Sequence, residues 1–389
     1  MMISIVNGHA NRVKVVFAGI GLLGLAVCVA GWIFAPGEFF VSYLFAHEFF
    51  LGISLGSLGL LMIHHLTSGY WGYSVRRFLE SAVGTLPLLA LLFVPIFFGL
   101  PYLYPWKNPS IVAEDEILRS RISYLNTPGF IVRSALIFAI WILMAHFLLK
   151  WSREQDVTTS VEPTRKMRTL SGPGLVIYPV TMTFAALDWL MSLEKDWYST
   201  MFAVMICIGQ MLSALAFVIL LLSIGTRTRQ FAPIISIEET LHKIGNLLLA
   251  FTMLWAYLEF GQLLITWSGN LPNEISWYLN RVAGGWRWMC VFLFLFNFFI
   301  PFFLLLMRPV KRRVQTLATI AGCILVAHIA DVWWTIAPSL HPERFYFTWW
   351  AVVAFLGIGG IWSAAFLRNL ENRPVVPLND PRFAVAMPA

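Results

Sequence analysis

The sequence has very few charged residues for its length. Only 12% of its 389 residues are charged, whereas a soluble globular domain carries about 25%. So few charges cannot solvate the surface of a chain this long, which excludes a soluble enzyme of several domains. Disorder is also excluded, because disordered segments combine low hydrophobicity with high charge. The 59% of apolar residues and the mean hydropathy of +0.74 indicate a polytopic membrane protein.

Motifs that bind metals, haem or phosphate are also lacking. The four cysteines lie in apolar runs and form no C-x-x-C pair, so they are interpreted as small core residues. The glycine-rich stretch 51–59 lacks the Lys-Ser/Thr of a phosphate loop. Its small residues recur four apart, which predicts close packing of helices. We therefore expect this chain to bind no metal ion.

Long apolar runs dominate the rest of the sequence. A spanning helix needs about 20 mostly apolar residues, because the hydrocarbon core is about 30 Å thick. Ten segments meet this requirement: 13–34, 43–66, 80–100, 130–150, 174–192, 200–224, 241–267, 284–307, 313–337 and 345–368.

The basic residues sort to one side of these ten spans. Of the 27 lysines and arginines, 19 fall on the side of the two termini and 8 on the other. This positive-inside bias predicts that both termini are cytoplasmic. The net charge of +7 is then mostly a matter of topology and predicts no nucleic-acid binding. The longest loops are expected at 101–129 outside and 151–173 inside, and neither could form a separate catalytic domain.

The spans show signs of an internal repeat. Ala186-Leu187-Asp188-Trp189 in the fifth span resembles Ala330-Asp331-Val332-Trp333 in the ninth, and spans two to five run in the same sense as spans six to nine. We therefore predict an all-α fold of two four-helix bundles within a single integral membrane domain, 1–389. The parts are a flanking helix at 13–34, bundles at 43–192 and 200–337, a second flanking helix at 345–368, and a tail at 369–389, extended or bound to a partner.

Ionisable residues within the spans are the candidates for function, because burying a charge in a membrane is costly. They occur at two depths. The outer group contains His47, Glu48, Asp188, Glu259, His328 and Asp331, and the inner group contains His64, His65, Arg76, Arg77, Glu80, His146 and His242. Uncharged polar sites are Gln210, Asn246, Gln262 and Asn297.

One hypothesis for these groups is a proton or quinol path, because buried carboxylates and histidines exchange protons near neutral pH. Its outer half would consist of Asp188, Glu259, His328 and Asp331. Its inner half would consist of His64, His65, Glu80 and His146. Arg133 and Arg287 enter from the outer side and could pair with the carboxylates. No catalytic residue is predicted.

Three alternatives remain open at this point. A di-haem cytochrome b would pair His47 with His328, and His64 or His65 with His146. Ten helices with a repeat and buried charges would also suit a secondary transporter. In a purely structural subunit, all the polar groups would serve to hold helices together.

Several motifs resemble a known family. They are Met62-Ile63-His64-His65-Leu66-Thr67-Ser68-Gly69-Tyr70-Trp71-Gly72, Arg76-Arg77, Tyr124-Leu125-Asn126 before Arg133, Ser171-Gly172-Pro173-Gly174, Phe184-Ala185-Ala186-Leu187-Asp188-Trp189-Leu190-Met191-Ser192-Leu193-Glu194 and Trp197-Tyr198-Ser199-Thr200. The chain resembles quinone-binding subunit 2 of alternative complex III (ActF), within the NrfD/PsrC-like integral membrane family. The likeness extends over nearly the whole chain. Lys195 stands where it predicts a proline.

The resemblance implies a subunit of a quinol:electron acceptor (cytochrome c) oxidoreductase in the bacterial inner membrane. It implies as partners a homologous membrane subunit, a periplasmic iron–sulfur subunit, c-type haem subunits, a terminal oxidase and lipids. The iron–sulfur clusters and haem c would belong to those partners, and this chain would hold no redox centre. A quinone or quinol is the one cofactor it could itself contact.

Overall fold

The computed structural model describes residues 2–195, 197–227 and 237–371, and residues 374, 377, 379 and 380. These residues form helices, turns and coil and contain no β-strand. The helices are α1 (Met2–Phe34), α2 (Pro36–Thr67), α3 (Tyr70–Val83), α4 (Leu86–Leu103), α5 (Pro109–Glu114), α6 (Glu116–Arg121), α7 (Thr127–Val157), α8 (Glu162–Trp189), α9 (Phe202–Arg227), α10 (Ile237–Gly269), α11 (Pro272–Val282), α12 (Arg287–Leu293), α13 (Ile300–Leu306), α14 (Arg308–Arg312), α15 (Val314–Ile336) and α16 (Trp349–Leu370).

Within the described residues, ten helical segments are long and apolar enough to cross a membrane. They coincide with the ten predicted spans and confirm an all-α, multi-pass membrane protein. Two spans are composite. The third consists of α3 and α4, which meet at Gly84 and Thr85, and the eighth consists of α12 and α13, joined by a π-helical turn at Phe294–Phe299.

The prediction of a long inner loop at 151–173 is wrong. Helix α7 continues to Val157 and α8 already begins at Glu162, so only four residues connect them. Hydropathy marks the part of a helix that lies in the membrane, whereas these helices continue past it through polar sequence. Pro163, in the first turn of α8, has a backbone angle that already suits a helix start.

The spanning helices form two rings of four. In the first ring α2 contacts α4, α4 contacts α7, α7 contacts α8, and α8 returns to α2. In the second ring α9, α10, α13 and α15 contact one another in the same cyclic way. The rings meet mainly where α2 packs along α9. The sequence repeat between them stays a prediction.

The first and last spans pack together beside the rings. Helix α1 lies mainly along α16, and α16 lies on α2. A Cβ atom on Gly24 would lie 2.6 Å from the Cα of Gly357, and one on Gly21 would lie 2.5 Å from the backbone N of Ile361. The two backbones can approach this closely because glycine has no side chain. Since ten crossings return the chain to its starting side, α1 begins and α16 ends at one face, here called the terminal face. The other end is called the opposite face.

The predicted close packing of the glycine-rich stretch is confirmed at the contact between the rings. A Cβ on Gly56 of α2 would lie 1.9 Å from the carbonyl oxygen of Gln210 on α9. No side chain can occupy that position unless the helices separate. Gly56 therefore fixes the spacing of the two rings.

We expect Gly56→Ala to lower the thermal stability of the purified protein, because overpacking a tight contact costs about 1–3 kcal/mol. Gly261→Ala on α10 is the matched control, since nothing lies within 4 Å of its Cβ position. Alanine also favours a helix over glycine by about 1 kcal/mol, so the control should melt no lower than the wild type. Equal melting temperatures for the two variants in detergent would contradict this account.

Candidate functional site

A small polar cavity lies between the two rings, in the half nearer the opposite face. Its polar lining comprises Glu48 from α2, Gln210 from α9, Glu259 from α10, and His328, Asp331 and Thr335 from α15. About 40 Å³ of it can hold the centre of a water molecule. One water needs roughly 10–15 Å³ by this measure, so the cavity has room for a few waters. Sites for small organic ligands are larger, about 300–1,000 Å³.

Three of the lining side chains lie close enough to influence one another. The Nδ1 atom of His328 lies 3.5 Å from Oδ2 of Asp331, one helical turn away on α15. Glu259 is near enough to Asp331 for the two carboxylates to repel each other when both are charged. The arrangement therefore brings one imidazole and two carboxylates together in the second ring, at the wall of the cavity.

Glu48 enters the cavity from the first ring. Glu48 is 5% exposed, and its Oε1 atom has no hydrogen-bond partner among the described residues. The closest histidine nitrogen is Nδ1 of His47, at 3.7 Å. Nε2 of His47 lies 2.9 Å from the carbonyl oxygen of Leu89 and must donate to it, so a neutral His47 has no proton on Nδ1. The Oε1 atom of Glu48 therefore needs a donor such as cavity water.

Small residues bring these groups together. Gly209 on α9 faces His328, whose Cε1 would lie 3.2 Å from a Cβ at that position. Gln210, the next residue, accepts a hydrogen bond of 2.6 Å from the hydroxyl of Tyr178 on α8. Both rings are thus tied to the wall of the cavity. The sequence identifies Gln210 as an uncharged polar residue within a span, but it gives no indication that Gln210 contacts the other ring.

Asp188 does not line the cavity. It is fully buried in the first ring, where it accepts hydrogen bonds from Nε and Nη2 of Arg133 at 2.7 and 3.1 Å. Arg133 also donates to the carbonyl oxygen of Tyr124 at 2.9 Å and lies 3.8 Å from the centre of its ring. This bidentate pair joins α7 to α8. The structure thus separates Asp188 from Glu259 and Asp331, with which it was grouped by depth.

The predicted pairing of Arg287 with a buried carboxylate is wrong. Arg287 is exposed beside Trp288, and the buried arginine of this region is Arg281, which is 1% exposed. Its Nη1 donates to Oε1 of Glu194 at 2.6 Å. Depth alone could not distinguish the two arginines. An apolar sequence does not show which side of a short helix faces inward.

Arg281 connects the end of α15 to the loop that follows α8. Its Nη2 donates to the carbonyl oxygen of Thr335 at 2.6 Å and to the hydroxyl of Ser339 at 2.9 Å. The guanidinium stacks 3.7 Å from the ring of Trp277, which also lines the cavity. Burial lowers the pKa of Arg281 to about 10, although Glu194 opposes this shift, so the side chain stays charged at neutral pH. Its position four residues after Trp277 was the one signal in the sequence.

A second group of polar side chains lies at the terminal end of the first ring. Arg76 and Arg77 of α3 donate to Oε1 and Oε2 of Glu80 at 2.8 and 2.7 Å. His64 and His65 are buried nearby, with the ring of His64 centred 4.9 Å from that of Tyr73.

His146 does not join this group, contrary to the prediction. It is exposed on the surface of α7 that faces away from the ring, and its imidazole contacts Phe147. A spanning helix that is apolar on every side gives no indication of which side faces inward. Of the four residues predicted for the inner half of the path, only His64, His65 and Glu80 are therefore buried.

The geometry does not fit the di-haem alternative. His47 packs against Phe93 at 5.2 Å between ring centres, with its Nε2 engaged by a carbonyl. His328 lies across the ring boundary beside Phe49. The inner pair fails because His146 is exposed whereas His64 is buried. Bis-histidine ligation needs two imidazoles that face each other across a haem.

A larger groove opens at the opposite face. Its volume is about 410 Å³, ten times that of the polar cavity. The groove is lined by Leu118, Arg121, Tyr124, Leu125, Leu187, Met191, Ser192, Glu194, Lys195, Trp197 and Tyr198. Lys195 pairs with Asp115 at 3.0 Å on its rim. The amide N–H of Leu118 and the Lys195 ammonium hold the pKa of the Asp115 carboxyl below its ordinary value. The groove has the size of a small-molecule site.

No protein-family model matches this chain, and no curated protein is similar to it. The geometry of the cavity and the motifs of the sequence are therefore the basis for any statement about function.

Proposed function

We propose that the chain is the proton-transferring membrane subunit of a quinol-oxidising respiratory complex. The observation that carries the proton role is the cavity between the rings, where Glu48, Glu259, His328 and Asp331 line a space large enough for a few waters. Ionisable side chains inside a membrane protein generally mark an ion or proton pathway. A purely structural role would favour fully paired charges, such as Arg133 with Asp188.

The chemistry of the cavity suits a proton relay. Water can carry a proton between carboxylates that are too far apart for direct contact. A histidine beside a carboxylate can change charge near neutral pH. Glu48 stands on the first ring and the other three groups on the second, so a proton that crosses the cavity passes from one ring to the other.

The second ring offers a route from the cavity toward the terminal face. Thr252 and Asn297 are completely buried there, and among the described residues their side-chain polar atoms have no hydrogen-bond partner. Such groups need water. Closer to the terminal face, Lys311 donates to Asn246 at 2.6 Å. We propose this column as the inner half of the path, because Glu80 in the first ring is held by two arginines.

The quinol belongs elsewhere. A space for a few waters does not accommodate a quinol ring, whereas the groove of about 410 Å³ has room for an apolar ligand. We propose the groove as this chain's contact for a quinone or a lipid. The oxidation centres would lie in partner subunits: a homologous membrane subunit, a periplasmic iron–sulfur subunit and c-type haem subunits. The charge bias of the loops supports both termini in the cytoplasm. The resemblance of the motifs to the alternative complex III family supports a bacterial inner membrane.

Purification of the natively expressed chain tests this proposal. If the chain carries an affinity tag, it should co-purify with haem-bearing subunits, and the sample should show the absorption bands of c-type haem and oxidise quinol. A secondary transporter would purify alone and without colour. Isolation of the chain without partners, in a mild detergent that preserves other respiratory complexes, would overturn the assignment.

A further inference from the structure

Four basic residues lie close together at the terminal end of the second ring. Helix α13 ends at Leu306, and the short helix α14 begins two residues later. The basic residues of this turn, here called the basic cluster, are Arg308, Lys311, Arg312 and Arg313. Four or more cations directly beside a membrane-spanning helix are typical of segments that contact anionic lipid headgroups. The positive-inside bias also places cations here, so the geometry of the cluster has to distinguish the two explanations.

Lys311 holds the basic cluster against α10. It is 5% exposed, and its Nζ donates to Oδ1 of Asn246 at 2.6 Å. Its aliphatic stem lies across Gly245, where a Cβ atom would be 2.9 Å from Cγ of Lys311. Burial lowers the pKa of the Lys311 ammonium, and repulsion from Arg308 lowers it further. The two cations are therefore held close together although they repel each other.

The carboxylates beside the basic cluster do not neutralise it. Glu238 of α10 pairs with Arg312 at 3.3 Å, and Glu239 pairs with Lys243 on its own helix at 2.7 Å. Together with the cluster and Lys243, five cations face two carboxylates, which leaves a net charge of +3. The connection 228–236, which lies outside the described residues, contains no aspartate or glutamate. The excess of positive charge therefore does not depend on how that connection is placed.

An apolar strip leads along the membrane to the basic cluster. Its members, Phe294, Phe299, Phe303 and Leu306, are 42–53% exposed. The ring of Phe299 is centred 5.7 Å from that of Phe294 and 4.9 Å from that of Phe303. The strip covers about 18 Å of helix at about 1.5 Å per residue, roughly one leaflet of a hydrocarbon core about 30 Å thick. It therefore has the length of an acyl chain that begins at the cluster.

We propose that this end of the second ring binds an anionic phospholipid, with its phosphate on Arg308 and Arg312 and an acyl chain along the apolar strip. A guanidinium has five N–H donors and can bind two phosphate oxygens at once. Arg312 can therefore bind a phosphate beside its half-exposed pair with Glu238. The site is separate from the cavity between the rings and from the groove at the opposite face. It depends on neither proton transfer nor partner subunits.

Native mass spectrometry of the purified full chain tests the site. The chain is stripped of lipid in detergent and titrated separately with phosphatidylglycerol and with phosphatidylcholine that carry the same acyl chains. The Kd of the first bound lipid is compared. We expect phosphatidylglycerol to bind about 25-fold more tightly, because each of two arginines contributes about a factor of five toward an anionic headgroup.

Substitutions should reduce this preference in steps. Arg308→Gln should leave a preference of about fivefold, and Arg308→Gln combined with Arg312→Gln should abolish it. The Kd for phosphatidylcholine should stay within about twofold in both variants, which shows that the fold and the apolar strip are intact.

The matched control removes two exposed arginines from the same face. These are Arg165 and Arg168, near the start of α8. Arg168 precedes the apolar span predicted from residue 174 by about 9 Å of helix, so it lies too far from an acyl chain to bind the same lipid. Arg165→Gln combined with Arg168→Gln should keep the wild-type preference to within about twofold.

Three results would overturn the lipid site. The first is an equal Kd for the two lipids in the unaltered chain, which is also expected if the occupant is an acidic partner protein. The second is an equal loss of preference in the control variant, because any reduction of net charge would then have the same effect. The third is displacement of the bound lipid by an equal concentration of glycerophosphoglycerol, the headgroup without acyl chains, because the cluster would then bind a free phosphate diester.

Discussion

Glu259→Gln is expected to reduce proton release and quinol turnover of the purified complex by about 100-fold, the lower part of the range for loss of a proton-transferring group. The amide has nearly the shape of the carboxylate but cannot take up a proton. Glu259 lines the cavity, and its electrostatic partner is Asp331. Its removal should therefore interrupt the relay while the helices remain packed.

The control for this experiment lies on the same helix. Glu239→Gln, near the start of α10, removes a carboxylate that is about half exposed and pairs with Lys243. Pairs of this kind contribute little, so assembly, turnover and proton release should all stay near the wild-type values.

A comparison with Asp331→Asn tests whether the carboxylates of the cavity act together in proton transfer. If protons pass through it, both variants should lose proton release, whereas haem content and subunit composition should not change. Normal turnover with a normal number of protons per electron in both variants would contradict the proton role. That result would not affect the assignment to a respiratory complex, which co-purification tests separately.

Arg281→Met should destabilise the protein by about 3–5 kcal/mol, the usual cost of removing one partner from a buried ion pair. Glu194, whose side chain is 9% exposed, would be left without its closest cation. The carbonyl oxygen of Thr335 and the hydroxyl of Ser339 would lose a donor as well. Thermal denaturation in detergent, followed by the loss of monodisperse protein, measures the effect.

Arg287→Met is the matched control, because Arg287 is exposed and no ion pair involves it among the described residues. We expect its melting temperature to stay close to that of the wild type. In a second control, Glu194→Gln combined with Arg281→Met should be more stable than Arg281→Met alone, since no buried charge then lacks a partner. Equal losses for Arg281→Met and Arg287→Met would show that Arg281 has no special role.

The sequence was sufficient to predict which segments are long and apolar enough to span a membrane. Hydropathy located all ten spans, and Glu48, Glu259, His328 and Asp331 do share one depth. Helix ends were less accurate, because polar turns that extend beyond the membrane, such as the start of α8, have no hydropathy signal.

Which way a side chain faces could not be predicted. In a soluble protein, the polar side of a helix identifies its exposed face, but lipid and protein interior are equally apolar. His146 was therefore assigned to the interior although it is exposed, and Arg287 was preferred to Arg281. Contacts between distant segments, such as Asp380 with Arg76, leave no local pattern.

The packing of α1 on α16 has a consequence for biosynthesis. Gly24 is made early, but its partner Gly357 follows 333 residues later. At about 5–20 residues per second, roughly 17–67 s separate their appearance at the ribosome. Until then α1 can make only its smaller contacts, such as those with α2 and with Phe98 of α4, and its glycine face is open to lipid or to insertion factors. Helix α16, made more than 300 residues after α1, is thus the one that fixes α1 in place.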